Sequence, residues 1–359
     1  MALDSIRTFT IANGARELNE TLHNIGTPLD EIFNDPANVH TEAGDRCAGN
    51  VMYKEENYGV VSSGRDQYSD ELVDPYEHIS LPWRYPYSDV VLDGKEVQQN
   101  LGGLKLEAFV NGNPLTEMGE GGRNTLVNMV APRFRNCRYT LVINNWRDFY
   151  AKRKDQQGEG VDGIDLITAP NTEYAGLGYQ ALGTLKTRSN LLNTRPYLWN
   201  PITHDFGSVS ITIDHIINFA TDLSKMRSDF TMPDMGWKVY ILMGTERYNH
   251  YAGEGFFQDQ RWRTNDMDTN YGPAKRIEDT RTGTVMYADP LMDDNYSRRI
   301  FGWVQGAIKK RQQMERSFTE MARQPRMAWN QDVAIFPFEM ECNFLCTARW
   351  LTGWIEGDI

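Results

Sequence analysis

Between residues 79 and 91 apolar and polar positions alternate. Ile79, Leu81, Trp83, Tyr85 and Tyr87 are separated by Ser80, Pro82, Arg84, Pro86 and Ser88, the period of two that predicts a strand. Pro82 and Pro86 share a parity, so their missing N–H groups fall on one edge. The pattern therefore predicts an edge strand that stays unpaired on that side. Asp93-Gly94 follows, a turn dipeptide, and Val97 to Val110 is the expected return strand. A two-stranded hairpin is marginal in water, so this one must lie on something else, its own body or a neighbour.

Upstream, residues 1–75 are polar, with short apolar pieces (Ile6, Phe9, Ile11; Leu29, Ile32, Phe33) between stretches such as NDPANVHTEAGD. So long a segment without a strong period reads as an extended arm whose partners lie elsewhere. Downstream, Leu126, Val130, Phe134, Cys137 and Leu141 recur at spacings of four, four, three and four, with Phe149 continuing the face. That predicts a long helix within 122–153, kinked where Pro132 removes a hydrogen bond, although Arg138–Ile143 has strand propensity.

Gly158 to Gly163 forms a Gly-rich break. Beyond it Thr212 is placed to cap a helix with Ile213, Ile216, Ile217, Ala220 and Leu223 on its buried face and Asp214 in its first turn. Trp237–Met243 is a buried-strand candidate, and Thr245 starts another helical stretch. Residues 253–283 are polar and irregular, Phe301–Met321 is expected to include a helix, and Val333–Phe338 opens a C-terminal run of strands. No internal repeat or clean interdomain linker interrupts this order.

The composition narrows the function classes. The 359 residues are 40% hydrophobic and 24% charged, a globular balance. Aromatics reach 11%, including 9 Trp and 17 Tyr, a supply of large amphipathic rings that suits contact surfaces and sugar clefts alike. The 49 acidic residues exceed the 37 basic ones, for a formal charge of -12. This opposes a phosphate-gripping role. Lys152-Arg153-Lys154 and Lys309-Lys310-Arg311 read as solvated helix ends rather than binding stripes. Cys47, Cys137, Cys342 and Cys346 are too few and scattered for a disulfide framework, and read as buried free thiols. MALDSIRTFTIANG lacks a signal peptide's apolar and cationic regions, and no apolar run approaches the ~20 residues of a membrane span.

Catalytic and ligand motifs stop short of completion. Gly178-x4-Gly183-Thr184 lacks the phosphate-loop Lys. Gly176-x-Gly178-x-x-Ala181 lacks a preceding strand and a downstream acid, leaving turn glycines. Asp266-x-Asp268-x-Asn270 resembles a calcium loop whose Gly272 and Glu278 each come one place late. His23, His40, His78, His204, His215 and His250 form no ligand pair. His204 and His215 each adjoin an aspartate, and Gly-x-Ser-x-Gly is absent. The expectation is a non-enzymatic protein with no catalytic residues, no cofactor and no metal site.

Several stretches, in order, resemble the major capsid proteins of tailed bacteriophages. Trp83 to Asn100 (WRYPYSDVVLDGKEVQQN) is similar to the family's extended loop, and the helix after it to its spine helix. Val161-Asp162-Gly163-Ile164-Asp165-Leu166-Ile167 and Asn193-Thr194-Arg195-Pro196-Tyr197-Leu198-Trp199 resemble its passage into the globular body. Asn330-Gln331-Asp332-Val333 and Ala348-Arg349-Trp350-Leu351-Thr352-Gly353 resemble its C-terminal strands.

The resemblance implies an α+β phage major capsid (Johnson) fold with an N-terminal arm, extended β-hairpin loop, long spine helix, peripheral domain and axial domain. On that pattern residues 1–75 form the arm, 76–118 the extended loop and 119–155 the spine helix. Residues 156–205 are peripheral domain and connection, 206–305 mainly axial domain, and 306–359 the return to the peripheral domain. Inter-subunit contacts fall on the loop residues Trp83, Arg84, Tyr85, Tyr87, Asp93, Gly94 and Lys95.

The implied partners are further copies of the chain, in pentamers and hexamers, and a separate scaffolding protein. A portal at one vertex, an optional decoration or cement protein, and double-stranded DNA enclosed without specific binding complete the set. No membrane is involved. The implied location is the virion, with assembly in the host bacterial cytoplasm. An encapsulin-like nanocompartment shares the fold, and another virion structural protein would too. A carbohydrate-active enzyme or lectin is the reading from a different class.

Overall fold

The computed structural model describes residues 27–52, 76–93, 133, 136–137, 139–152, 160–178, 199–229, 236–251, 262–265, 276–279, 283–313, 326–327 and 333–358. In the polar opening segment the apolar piece Pro28–Asn34 folds as helix α1. Thr27 caps it: Oγ1 accepts from the Asp30 N–H at 3.3 Å, and Pro28 fills the first helical position, where a missing N–H costs nothing. Leu29, Ile32 and Phe33 are buried on its inner face, each worth roughly 1.5–3 kcal/mol. The Phe33 ring lies 5.0 Å from Phe344, 5.7 Å from Trp146 and 5.8 Å from Phe149. Residues 27–52 therefore find their partners inside their own chain, contrary to the expectation of an arm over that stretch. Three well-spaced apolar residues suffice to dock a two-turn helix when a prepared aromatic pocket receives them.

After α1 come β1 (Val39–Glu42), β2 (Arg46–Met52), β3 (Tyr76–Pro82) and β4 (Tyr87–Asp93). Residues 139–149 form helix α2, and residues 133, 136 and 137 are helical too. Helicity thus wins over the strand propensity of the 138–143 stretch, because Cys137, Leu141, Val142, Trp146 and Phe149 share a buried stripe. The Pro132 kink lies outside the described residues. Short helix α3 (Ile164–Ile167) starts at Gly163. A Cβ there would stand 2.3 Å from the Phe149 carbonyl oxygen, so only glycine lets this turn press against the end of α2.

The chain continues through β5 (Ile202–Ser210), α4 (Ile213–Asp229), β6 (Val239–Met243), α5 (Thr245–Tyr251), β7 (Trp262–Asn265), β8 (Arg276–Asp279) and β9 (Thr284–Ala288). Helix α6 (Asp293–Tyr296) precedes β10 (Arg299–Val304), β11 (Ile308–Gln313), β12 (Arg326–Met327), β13 (Val333–Glu339), β14 (Cys342–Cys346) and β15 (Thr352–Asp358). Seven strands form one sheet in the order β5-β15-β10-β6-β9-β8-β7, with β5 parallel to β15 and β6 parallel to β9. Smaller sheets are β1-β11-β14, β12-β13-β4 and β2-β3.

Helix α4 covers the large sheet with Ile216, Phe219, Ala220 and Leu223 buried. A Cβ on Gly302 in β10 would come 2.6 Å from the Phe219 ring, so glycine sets the close approach of helix to sheet. The helix expected within Phe301–Met321 is absent over the described residues to Gln313. Pairing of this segment to β1 on one side and β14 on the other overrides the helical propensity of Lys and Gln. In the Trp237–Met243 candidate, Val239–Met243 is fully buried but Trp237 is 79% exposed.

Candidate functional site

The alternation at 79–91 belongs to two strands, broken at residues 83–86 and paired with different partners. β3 pairs antiparallel with β2, from Arg46 opposite Pro82 to Met52 opposite Tyr76. β4 pairs antiparallel with β13, from Tyr87 opposite Glu339 to Asp93 opposite Val333. Between them Arg84 N–H donates to Cys342 O at 3.3 Å and Cys342 N–H returns to Arg84 O at 3.1 Å. The even-numbered edge expected to stay unpaired is thus a paired one. A proline lacks only the donor: the Pro86 carbonyl accepts from Met340 N–H at 3.0 Å, and the Pro82 carbonyl from Asn343 Nδ2 at 2.9 Å.

The seven candidate contact residues divide between an inner root and an outer face. Trp83 is 5% exposed, and its Nε1–H donates to Gly44 O at 2.8 Å. The Arg84 guanidinium turns inward, 3.6 Å from Asp162. Tyr85 and Tyr87 point out, 55% and 71% exposed, with Val91 continuing the strip at 49%. Asp93 ends β4, while Gly94, Lys95 and the expected return strand lie outside the described residues. Beneath the strip Val90 is buried, and Arg133 at the start of the helical stretch donates to Val91 O at 2.9 Å.

The root is a closed polar network. Buried Asn343 donates through Nδ2 to Pro82 O at 2.9 Å and to Asp162 Oδ2 at 2.6 Å. Its Oδ1 accepts from the N–H groups of Asp162 at 2.9 Å and Phe344 at 2.8 Å. One amide therefore ties the 82–86 link, the Gly-rich turn and β14 together. Nearby, Arg311 of β11 forms a buried ion pair with Glu42 of β1, fixing that sheet's parallel edge.

A second clamp uses Arg349, which is fully buried. Its guanidinium donates to the carbonyls of Ile167 at 2.9 Å, Thr172 at 3.0 Å, Trp199 at 3.3 Å and Ala169. It also stacks 5.4 Å over Tyr174. Burial lowers its pKa, yet the ring of carbonyl dipoles solvates the cation. These two hubs escaped sequence reasoning. The available signals were a lone Asn in the apolar run CNFLC and a lone Arg in ARWL, polar residues where an apolar period predicts core.

The remaining candidates are structural. Burial pushes the Cys47 thiol up to about 12, Cys342 to about 11 and Cys346 to about 12, so these thiols stay protonated and unreactive. The His204 ring meets Phe219 edge-on at 6.5 Å, and His215 stacks on Phe206 at 4.4 Å. Thr212 N–H donates to His215 Nδ1 at 3.1 Å, and Asp205 accepts from Gly207 N–H, local turn and cap bonds rather than His–Asp pairs. Ala175 and Gly176 hold positive φ in the tight turn from Tyr174 to Leu177, the turn role expected of the glycine. Among the described residues no group of three or more His, Cys, Asp or Glu is placed to hold a metal ion. The Asp266–Asn270 loop lies outside them.

Buried Asp289 stands apart. Desolvation raises its carboxyl from 3.8 to about 6, against bonds from the Leu291 N–H and from the Tyr150 hydroxyl at 2.8 Å. It joins the C-terminal end of α2 to the large sheet through Tyr150 and through its own N–H, which donates to Met243 O at 2.9 Å.

The four described sheets and the helices packed on them make an α+β fold. Comparison with solved structures shows that this is a phage capsid fold. The chain matches one from the cyanophage A-1(L) capsid asymmetric unit with a TM-score of 0.55 at 11% identity, over 92% of each chain. A capsid chain of an empty GTA particle gives 0.48 at 9% identity, over 91% of this chain and 96% of that one. A virus-like particle from Pyrococcus furiosus gives 0.43 at 8%, over 97% and 96%. The fold assignment rests on the first of these. No family model and no curated protein sequence matches the chain.

Proposed function

We propose that the chain is a major capsid protein, a non-enzymatic subunit that assembles into the shell of a tailed-phage head. The observation that carries the reading is the shared fold with the cyanophage capsid chain over 92% of both. In this reading pentamers and hexamers of the chain close an icosahedral shell around double-stranded DNA. The formal charge of -12 suits a container that does not adhere to its genome.

Tyr85, Tyr87, Asp93, Gly94 and Lys95 meet a neighbouring subunit, while Trp83 and Arg84 anchor the root of that contact within their own chain. Residues 76–118 act as the extended loop, 119–155 as the spine helix, 206–305 mainly as the axial domain, and 156–205 with 306–359 as the peripheral domain. The arm function of 1–75 then falls on the parts outside α1, β1 and β2. A separate scaffolding protein guides assembly, a portal occupies one vertex, and a decoration protein is an optional addition. Assembly takes place in the host cytoplasm and the product resides in the virion.

Electron microscopy of the purified chain, alone and with its scaffold, tests this directly. Closed shells are the expected result. A species of only 41.2 kDa by sedimentation under every assembly condition would overturn it.

A further inference from the structure

The large sheet and the β1-β11-β14 sheet meet where the chain crosses between them twice. β10 ends at Val304 in the first and β11 begins at Ile308 in the second, so Gln305, Gly306 and Ala307 make the passage. The chain returns from β14 to β15 through residues 347–351. The two crossings are tied together, Thr347 N–H donating to Ala307 O at 3.1 Å. Gly306 holds a φ of +86°, a conformation that favours glycine. Short links at the ends of elements are where a backbone absorbs rotation between two packed bodies.

One buried amide closes this passage. Asn38, fully buried between α1 and β1, accepts from Gly306 N–H at 2.8 Å through Oδ1. Its Nδ2 donates to Ile32 O at 2.8 Å and to the Tyr240 hydroxyl at 3.3 Å. It therefore joins the crossing, helix α1 and β6 of the large sheet. The next residue, Val39, opens β1 and pairs opposite Lys310 in β11. Asp35 adds a second hold, accepting from Gln305 Nε2 at 2.6 Å. On the large-sheet side Gly236 N–H donates to Gln305 O at 3.0 Å, and Gln305 N–H to Lys238 O at 2.8 Å. The Asn38 amide uses both of its N–H donors and its oxygen, so it is satisfied in one arrangement of the two sheets. The Phe33 ring spans the same seam, 6.4 Å from Trp303 of β10 and 5.0 Å from Phe344 of β14.

We propose that Asn38, supported by Asp35, sets the angle between the large sheet and the β1-β11-β14 sheet, and through it the curvature of the assembled shell. The inference rests on the shell reading above. The Tyr85–Tyr87 strip is rooted on β14 through the Arg84–Cys342 backbone pair, so it turns with the β1-β11-β14 sheet, whereas the proposed axial domain is mostly the large sheet. In an assembly of identical copies, the angle between a subunit's contact faces fixes where the assembly closes. A residue that holds that angle therefore determines particle size.

Full-length Asn38→Ala and Gln305→Met chains are compared with the wild type by hydrogen exchange of the unassembled chain and by electron microscopy of the shells. Asn38→Ala frees the Gly306 amide, and exchange over residues 304–308 and 345–352 is expected to rise by about tenfold, as for local opening after loss of a buried hydrogen bond. Gln305→Met keeps its bulk and both backbone bonds and removes the bond to Asp35, so exchange there is expected to rise by about threefold. Both variants are expected to form shells whose diameters are shifted, or spread, beyond those of the wild type. Shells of wild-type diameter from both variants overturn the inference and leave the shell reading standing. A rise in exchange spread evenly over the chain also overturns it, because Asn38 would then act on the common core and not on the crossing. If Asn38→Ala fails to fold, Gln305→Met decides by the same two readouts. A wild-type chain that forms no shells removes the shell reading and the curvature role together.

Discussion

The root of the 76–93 segment and its outer face are built from adjacent residues and obey different rules. At the root the polar groups are tied within the chain: Asn343 makes its bonds to Pro82, Asp162 and Phe344, and Arg84 turns to Asp162. On the outer face Tyr85, Tyr87 and Val91 stand 55%, 71% and 49% exposed. Buried polar groups must be satisfied within the chain, so the root is determined by folding alone. Exposed rings gain little in a lone subunit, which agrees with the proposed use of the outer face in association. Substitutions in the root should therefore appear as lost stability, and those on the outer face as lost assembly.

The largest expected effect lies in the second clamp. Arg349→Met keeps the stem's bulk and removes the donors, stranding the carbonyls of Ile167, Ala169, Thr172 and Trp199. Stranding several buried acceptors should cost about 3–5 kcal/mol, measured as a lower midpoint in urea unfolding of the unassembled chain. A loss below about 1 kcal/mol would mean that water replaces the guanidinium. Asn343→Leu is next, at about 3 kcal/mol, because it unpairs Asp162 and the Pro82 carbonyl together. Combined with Asp162→Ala, the loss should be clearly less than additive. Strict additivity would show that the network does not act as a unit.

How much of this was legible depends on the kind of pattern. Period-two and helical spacings located β3, β4, β6, the start of β13 and the buried stripes of α2 and α4, because those patterns depend on nearest neighbours. They do not state which strand pairs with which. The Pro82/Pro86 parity was read as a blocked edge, but the carbonyls of both prolines accept from Asn343 and Met340, residues far along the chain. Phe33 sits in a polar stretch, and only its long-range ring contacts with Trp146, Phe149 and Phe344 reveal it as core. Lys309, Lys310 and Gln312 have helical propensity, and strand pairing with β14 overrides it. Alternation set Tyr85 and Tyr87 on one face with Ile79, Leu81 and Trp83, and could not separate the exposed rings from the buried side chains. The hubs Asn343 and Arg349 show in the sequence only as polar residues in apolar runs, since their partners, mostly backbone groups, lie far along the chain.

The next effect contrasts two buried carboxylates. Asp162 has Arg84 3.6 Å away, whereas the groups around Asp289 are Tyr150, Asp293 and Asp30, none of them cationic. The folded chain raises the Asp289 carboxyl from 3.8 to about 6, so it binds this proton more tightly than the unfolded chain does. Below 3.8 the group is neutral in both states and carries no penalty. Between 3.8 and about 6 stability falls as pH rises, and above that window the full penalty, about 3 kcal/mol, is present. Asp289→Asn is neutral throughout. Its stability relative to wild type should rise by that amount between pH 4 and pH 7 in paired urea titrations. A pH-independent difference would show that water reaches the carboxylate and solvates its charge.

The smallest effect on the lone subunit falls on the outer face, and it most directly tests the difference between the two regions. Tyr85→Ser with Tyr87→Ser removes two rings that are more exposed than buried. It leaves the backbone pairing of Tyr87 with Glu339 in place, and Ser is accommodated in a strand end. Unfolding of the unassembled chain should change by no more than about 0.5 kcal/mol. If the strip seats on a neighbouring copy, the same chain should fail to form shells, or need a concentration higher by about tenfold, as expected when aromatic contacts leave an interface. A stability loss like that of Asn343→Leu would instead make these tyrosines part of the subunit's own core, supported by residues beyond those described. Unchanged assembly would move the contact along the strand to Asp93, Gly94 and Lys95. Root and outer face are functionally distinct only if stability and assembly separate in this one variant.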